Sequence, residues 1–410
     1  MGMIATPAAH ESCTAVRARP ARSRGCFAVP IALALLQILP GTARADDTVK
    51  IGLILPMTGP FQSTGRQIDA AVKLYIQQHG KTVAGKQIEV ILKDDGGVAD
   101  ATKRLAQELV VKDKVSVIAG FGLTPLAMAA APIATQAKVP EIVMAAATSA
   151  ITEASPFVVR SSQTIGQPSV VLAGWAAQNG IKKVVTLVSD YGPGIDSEKW
   201  FGTRFAEKGG TVTESLRVPL QNPDFAPFLQ RVQDDKPDAL FVFVPSGVGS
   251  VFVKQFIERG LDKSGIKLVA LGDVTDDDLL NGMGDAVEGV VTAGPYSAAH
   301  PSSLNKAFVA DFEKANGGMR PNFMAVFGYD GTALIYQALE KTKGDTDGAT
   351  LVEAMKGASF ESPRGPISID PKTREIVQDI YIRKVEKQSG ELYNVEFATF
   401  EAVHDPAKSP

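Results

Sequence analysis

Two doubly wound parallel-sheet lobes joined by a three-stranded hinge are the α/β architecture that this 410-residue sequence predicts. Three observations lead there. From Asp46 onward, short β-rich runs alternate with segments of helical period, a pattern that specifies parallel sheet. The alternation comes in two separate runs, one closing at Ile142–Met144 and the other opening at Val184–Val188. After Thr292 the alternation breaks, so the chain is expected to return to the first lobe and cross once more, which makes three linkers and a hinge.

The first 45 residues stand apart from this pattern. Arg17, Arg19, Arg22 and Arg24 precede an apolar run from Cys26 to Leu39 that ends at Ala43-Arg44-Ala45, the form of a secretory signal peptide cut after Ala45. Pro30 and Pro40 interrupt a run already too short to span ~30 Å of hydrocarbon. A lipid anchor would need a cysteine after the apolar core, and Cys26 lies before it. The expected mature chain is therefore free in solution. It has 37 basic and 44 acidic residues, a net charge of −7, which argues against nucleic acid or anionic membrane as a partner. Both cysteines, Cys13 and Cys26, leave with the leader, so no disulfide, thiolate nucleophile or cysteine metal site is expected.

The first unit is a buried strand over Val49–Leu55, the loop Pro56–Pro60, and a helix with Ile68, Val72, Tyr75 and Ile76 on one face. A strand at Ile88–Leu92 then leads through Asp94-Asp95-Gly96-Gly97 to a helix that turns Leu105 and Leu109 inward. Val115–Ala119 leads into Gly120-Phe121-Gly122-Leu123-Thr124-Pro125 and another helix. The second run has strands at Val184–Val188, Thr211–Val218, Ala239–Val244, Lys267–Leu271 and Gly289–Thr292. Helices starting near Ser302 and Met324 follow, then a short β segment at Pro366–Ile369 and two strands at Ile380–Lys387 and Val395–Phe400. The expected division is a signal peptide over 1–45, lobe one over 46–163 plus 294–372, and lobe two over 164–293 plus 373–410. Ligands of open parallel sheets sit beyond the carboxyl ends of the strands, where helix N-termini offer unpaired N–H groups. That singles out loops 56–65, 120–125, 145–149, 190–196, 245–250 and 272–277.

At these loops the sequence resembles the type I periplasmic binding proteins of the leucine/isoleucine/valine-binding family, which serve ABC importers. The resemblance is carried by Ile51-Gly52-Leu53-Ile54-Leu55-Pro56-Met57-Thr58-Gly59-Pro60, Lys93-Asp94-Asp95, Val117-Ile118-Ala119-Gly120 and Asp190-Tyr191-Gly192-Pro193-Gly194, and it spans nearly all of the chain after the leader. It implies that a ligand carboxylate is held at Thr124 and at the Ala146-Ala147-Thr148 loop. The chemistry agrees, because a hydroxyl beside a helix N-terminus and a loop of small residues can hold a carboxylate without a full countercharge. Helix capping is the competing use of Thr124 and Thr148.

The resemblance further implies that the far end of the ligand meets Tyr191 and the acidic position Asp273. Ser246 stands where the family has a second tyrosine, and the acid is aspartate in place of glutamate. Both changes enlarge that side of the pocket and weaken an ammonium cage. Thr64, at a position often aromatic in the family, leaves further room, while Phe61, Phe121 and Gly122 are expected in the wall. Asp273 as the cap of a helix starting at Thr275-Asp276-Asp277, and Tyr191 as a packed loop aromatic, are the competing structural roles.

Other signals carry little. Gly80-Lys81-Thr82 follows a helix and lacks the first glycine of a phosphate loop. Asp345-Thr346-Asp347-Gly348 has Lys356 where a calcium loop needs its bidentate glutamate. Three adjacent acids at Asp276-Asp277-Asp278 cannot all converge on one ion. His79, His300 and His404 have no nucleophile motif beside them. The expectation is thus a monomeric binding protein with no catalytic residues, no metal and no cofactor. Its ligand would be a small organic carboxylate, either an apolar or branched-chain amino acid or an aromatic acid such as a benzoate or phenylpropenoid. Lobe closure would deliver the ligand to an ABC permease and ATPase complex in the inner membrane. A sensory ectodomain without transport is the alternative, followed by a cleft enzyme.

Overall fold

The computed structural model describes residues 47–408, so the leader reading lies outside the described residues. The chain opens on β1 (Thr48–Leu55), whose apolar run is buried because strands flank both of its edges. Helix α1 (Gln62–His79) follows, then the two-residue β2 (Thr82–Val83) and β3 (Lys86–Asp94). After α2 (Ala99–Glu108) come β4 (Val117–Gly120), α3 (Thr124–Ala137), β5 (Glu141–Val143) and β6 (Val158–Arg160). These strands form a six-stranded sheet in the order β2-β3-β1-β4-β5-β6, parallel except where β2 meets β3. Two glycines let this sheet pack. A Cβ on Gly52 would lie 2.7 Å from the Leu109 side chain, and one on Gly120, which has φ +111, would lie 2.3 Å from the Ile54 carbonyl oxygen.

The second sheet has nine strands. Helix α4 (Gly166–Gln178) leads to β7 (Lys183–Ser189), α5 (Gly192–Glu207), β8 (Thr211–Val218), α6 (Ala226–Asp235), β9 (Ala239–Phe243), α7 (Gly249–Glu258), β10 (Lys267–Leu271) and β11 (Val291–Gly294). The strands β7 to β11 are parallel; the central β9 is buried throughout, while the edge strand β8 alternates exposed and buried residues. Four more strands join them antiparallel: β12 (Ser359–Ser362), β13 (Gly365–Ile369), β14 (Ile376–Gln388) and β15 (Glu391–Val403). The two expected parallel-sheet lobes are present, and the second carries this antiparallel extension.

Between β11 and β12 the chain forms α8 (Ser303–Ala315), α9 (Phe323–Lys341) and α10 (Gly348–Met355). Ser302 caps α8 by accepting from the Asn305 N–H, and the Asn322 side chain caps α9 in the same way. Helix α9 packs on α1 so closely that a Cβ on Gly328 would come within 2.9 Å of the Ile68 carbonyl oxygen. Ile68 and Val72 of α1 thereby join Phe327 and Leu334 of α9 in the core under the first sheet. The hairpin of β12 and β13 divides its loyalties: its backbone pairs with β14, as in Ile367↔Gln378, while Ile367 and Ile369 pack into the first lobe's core. The second lobe is held by Phe201, Phe205, Phe241 and Ile380. Each such buried side chain contributes roughly 1.5–3 kcal/mol.

The chain passes between the two sheets at 161–165, 295–302 and 370–375, and buried polar groups brace the first of these. Gln378 donates to Gln167 at 2.9 Å, and Arg364 donates to the Ser161 carbonyl at 2.6 Å. Among the described residues no helix is long and apolar enough to cross a membrane.

Candidate functional site

The strand ends of the two lobes face one another across a cleft, and the loops expected to carry the ligand meet there. Seven of the predicted residues line one cavity: Thr64, Gly122, Thr124 and Ala146 from the first lobe, with Tyr191, Ser246 and Asp273 from the second. The free volume enclosed by this lining is small, about 20 Å³. Larger grooves lie elsewhere on the surface, but they do not gather the carboxyl ends of the strands.

On the first-lobe side, Pro125 occupies the first turn of α3, where its missing N–H leaves nothing unsatisfied. The hydroxyl of Thr124 donates to that of Thr148 at 3.1 Å and accepts from the Thr148 N–H at 3.4 Å. Thr148 thus stands behind Thr124, outside the lining. Neither hydroxyl caps a helix: α3 and the short turn after Thr148 both lack side-chain cap bonds. No lysine, arginine or histidine lines the cavity among the described residues. Behind the first-lobe lining, the fully buried Arg160 donates to the carbonyls of Ala146 and Thr148, the latter at 2.6 Å.

On the second-lobe side, Ser246 has one hydroxyl hydrogen and two acceptors, Asp276 at 3.0 Å and Asp273 at 3.3 Å. Asp276 also accepts from the Gly247 N–H at 2.9 Å. The Asp273 Oδ2 atom has no hydrogen-bond partner although the residue is 4% exposed. Burial pushes the Asp273 carboxyl up to about 7, and burial also holds Asp276 well above the usual carboxylate range. The Tyr191 hydroxyl is raised by burial and by the nearby Asp273, and its ring stacks on Phe243 with centroids 6.1 Å apart. Asp273 lies within the short turn Gly272–Thr275 and does not precede a helix, so the capping role is not the one it takes.

Two expected wall residues are placed elsewhere. Phe61 and Phe121 are both buried in the hydrophobic core, 2% and 0% exposed, and neither lines the cavity. Phe121 has φ +67, a left-handed conformation unusual for a bulky residue, so the direction of its ring could not be read from the loop's position in sequence. The structure also adds residues that sequence reasoning passed over. Gln163, 3% exposed with Oε1 unpartnered, lines the cavity from the first interlobe segment, and Phe243 and Met324 join it. The extended run at 160–164 was the available signal for Gln163, since a polar side chain in a buried linker needs a reason to be there.

The lobes touch around the cavity. Asp278 of the second lobe accepts from Ser63 at 2.7 Å and from Asn322 at 2.8 Å, both on the first lobe. A Cβ on Gly192 would lie 2.6 Å from the Thr148 hydroxyl. His79, His300 and His404 do not line the cavity, and among the described residues no group of three or more metal-ligating side chains is placed to hold an ion.

A family model for periplasmic binding proteins matches residues 48–391. The Leu/Ile/Val-binding protein homolog 6 of Brucella melitensis biotype 1 is 44% identical over 382 residues, covering 92% of this chain and 98% of that protein. A solute-binding protein of an ABC transporter from Rhodopseudomonas palustris BisB5, solved in complex with 3,4-dihydroxybenzoic acid, is 67% identical with a TM-score of 0.87. That match covers 88% of this chain and all of that one, 100%. Another R. palustris solute-binding protein, in complex with 4-hydroxybenzoate, is 42% identical with a TM-score of 0.86 and covers 88% and 99% of the two chains.

Proposed function

Since this chain belongs to the periplasmic binding protein family, we propose that it captures a hydroxylated benzoate in the periplasm and delivers it to an ABC importer. The observation that carries the choice of ligand is the unpartnered, buried Asp273 oxygen in the cavity wall. A buried acceptor left unpaired costs about 1–3 kcal/mol, so the favoured ligand brings a donor to it. A phenolic hydroxyl does so from a flat ring whose apolar faces match the Tyr191, Phe243 and Met324 side chains in the wall, with the lobes closing on it. The ligand carboxylate then lies at Thr124 and the 146–148 loop, stabilised by hydroxyl and backbone dipoles in place of a salt bridge. The likeness to two R. palustris proteins holding hydroxybenzoates supports the same reading.

The mechanism follows from the two halves of the site. Each lobe alone offers an open face with half the polar contacts, and a ligand that satisfies both faces favours the arrangement in which the lobes meet. Closure excludes water, which strengthens every polar contact inside. The closed pair of lobe surfaces is what the permease and its ATPase would recognise. No residue in the cavity is asked to break or form a bond. A leader of residues 1–45, cut after Ala45, would bring the protein to the periplasm.

Titration calorimetry with 3,4-dihydroxybenzoate, 4-hydroxybenzoate, benzoate and leucine tests this. The hydroxylated acids are expected to bind one per chain, at least tenfold more tightly than benzoate. Leucine binding more tightly than either hydroxybenzoate would overturn the proposal and make Asp273 an ammonium partner.

A further inference from the structure

We propose that the C-terminal tail, residues 405–408, straps the hinge to the carboxylate loop, with Arg160 and Glu375 as the positioning residues through which it acts. The inference rests on the carboxylate-binding reading of the 146–148 loop. The tail leaves the second sheet at the end of β15 and lies against the first lobe. Asp405 is 3% exposed and accepts from the Ser149 hydroxyl at 2.9 Å, directly beyond that loop. Pro406 fills the space over Gly166, where a Cβ would come within 2.6 Å of the proline ring. Lys408 reaches back to donate to Glu375 at 2.8 Å and to the Thr152 hydroxyl.

Glu375 connects this to the site. It lies on the last interlobe segment, 1% exposed, and its second oxygen accepts from Arg160 Nε at 2.5 Å. Arg160, the last residue of β6 and next to the first interlobe segment, spends its remaining donors on the carbonyls of Ala146, Thr148 and Gln163. In a trans peptide the N–H points opposite the carbonyl. With the Ala146 carbonyl turned back to Arg160, the N–H of Ala147 is aimed to the other side, and Ala147 lines the cavity. Charge therefore alternates from Lys408 to Glu375 to Arg160, and it ends on a peptide dipole directed at the ligand carboxylate. Through Arg160, which bonds both Glu375 and the Gln163 carbonyl, the chain of contacts joins the last interlobe segment to the first, so the orientation of the loop and the geometry of the hinge are set together.

The test is Lys408→Met, with a second variant lacking residues 405–410, read first by hydrogen exchange of the ligand-free proteins. Exchange is expected to rise at least fivefold in peptides spanning 144–150 while those of β7 and β9 stay unchanged. Calorimetry with 3,4-dihydroxybenzoate should show Kd raised at least fivefold, and Lys408→Arg should restore it to within twofold of the parent. Exchange that stays the same at 144–150, or rises equally in β7 and β9, overturns the proposal, as does an unchanged Kd in a folded Lys408→Met protein. If the parent takes up no 3,4-dihydroxybenzoate, the ligand assignment fails while the exchange data still decide the strap.

Discussion

Replacing Asp273 by alanine separates two effects that most pocket mutations confound. If the proposed ligand is right, its hydroxyl donates in the parent to Asp273, a hydrogen bond to a charged or strongly polarised group worth about 1.5–3 kcal/mol. Loss of that bond lowers affinity for 4-hydroxybenzoate by roughly 10- to 150-fold. Benzoate has no donor to offer, so its binding to the parent leaves the Asp273 Oδ2 atom as unpaired as it stands now. Alanine removes that unpaired acceptor, and benzoate affinity stays level or rises. The preference of the parent for the hydroxylated acid therefore collapses by at least tenfold in the variant. Calorimetry on both ligands with both proteins measures it. Equal losses for the two acids would refute the reasoning, because they would mean that Asp273 shapes the pocket without meeting the ligand's hydroxyl.

The same substitution has a pH signature in the ligand-free protein. The folded-state pKa of Asp273, about 7, lies above its ordinary 3.8, so the native state keeps a proton that the unfolded chain has released. The associated stability is complete below about pH 4 and lost as pH rises through about 7. Asp273→Ala has no such loss, so its melting temperature relative to the parent climbs between pH 4 and 7 and then levels; a flat difference would show that the carboxyl titrates normally. Thr124→Ala removes one hydroxyl from the proposed carboxylate grip and should weaken every carboxylate ligand by roughly 10- to 150-fold at about 1.5–3 kcal/mol, with hydroxylated and plain benzoates affected alike in calorimetry. Gly192→Ala sets a methyl 2.6 Å from the Thr148 hydroxyl where the lobes meet. Affinity should fall at least tenfold while the ligand-free melting temperature stays within about 2 °C, since a change of about 1 kcal/mol in a chain this size moves it only a few degrees. A larger thermal loss would place the clash inside one lobe.

Much of the architecture is legible because parallel strands buried on both faces are written as apolar runs. Val49–Leu55 and Ala239–Phe243 declare themselves in this way. The antiparallel extension is harder to assign, since β13 has a backbone partner in one lobe and a side-chain core in the other, and a local pattern records only the alternation. The loops that carry Thr124, Tyr191 and Asp273 are readable from their place at the strand ends, and the resemblance to the family picks those residues out within them. Side-chain direction is not: Phe121 sits in the expected loop, but its backbone, at φ +67, belongs to a ring buried in the core. Gln163 and Met324 reach the cavity from a linker and from a distant helix, proximities that only the folded chain creates.

Asp278 offers a way to tune this protein as a sensor. It bonds Ser63 and Asn322 on the opposite lobe, yet it is not among the residues lining the cavity. Its contribution belongs to the meeting of the lobes and is the same whichever acid is inside. Substitutions there would slide the working concentration range of a reporter up or down while leaving its ranking of analogues intact. Dynamic range and chemical discrimination are therefore separate dials, set by different residues on the same lobe.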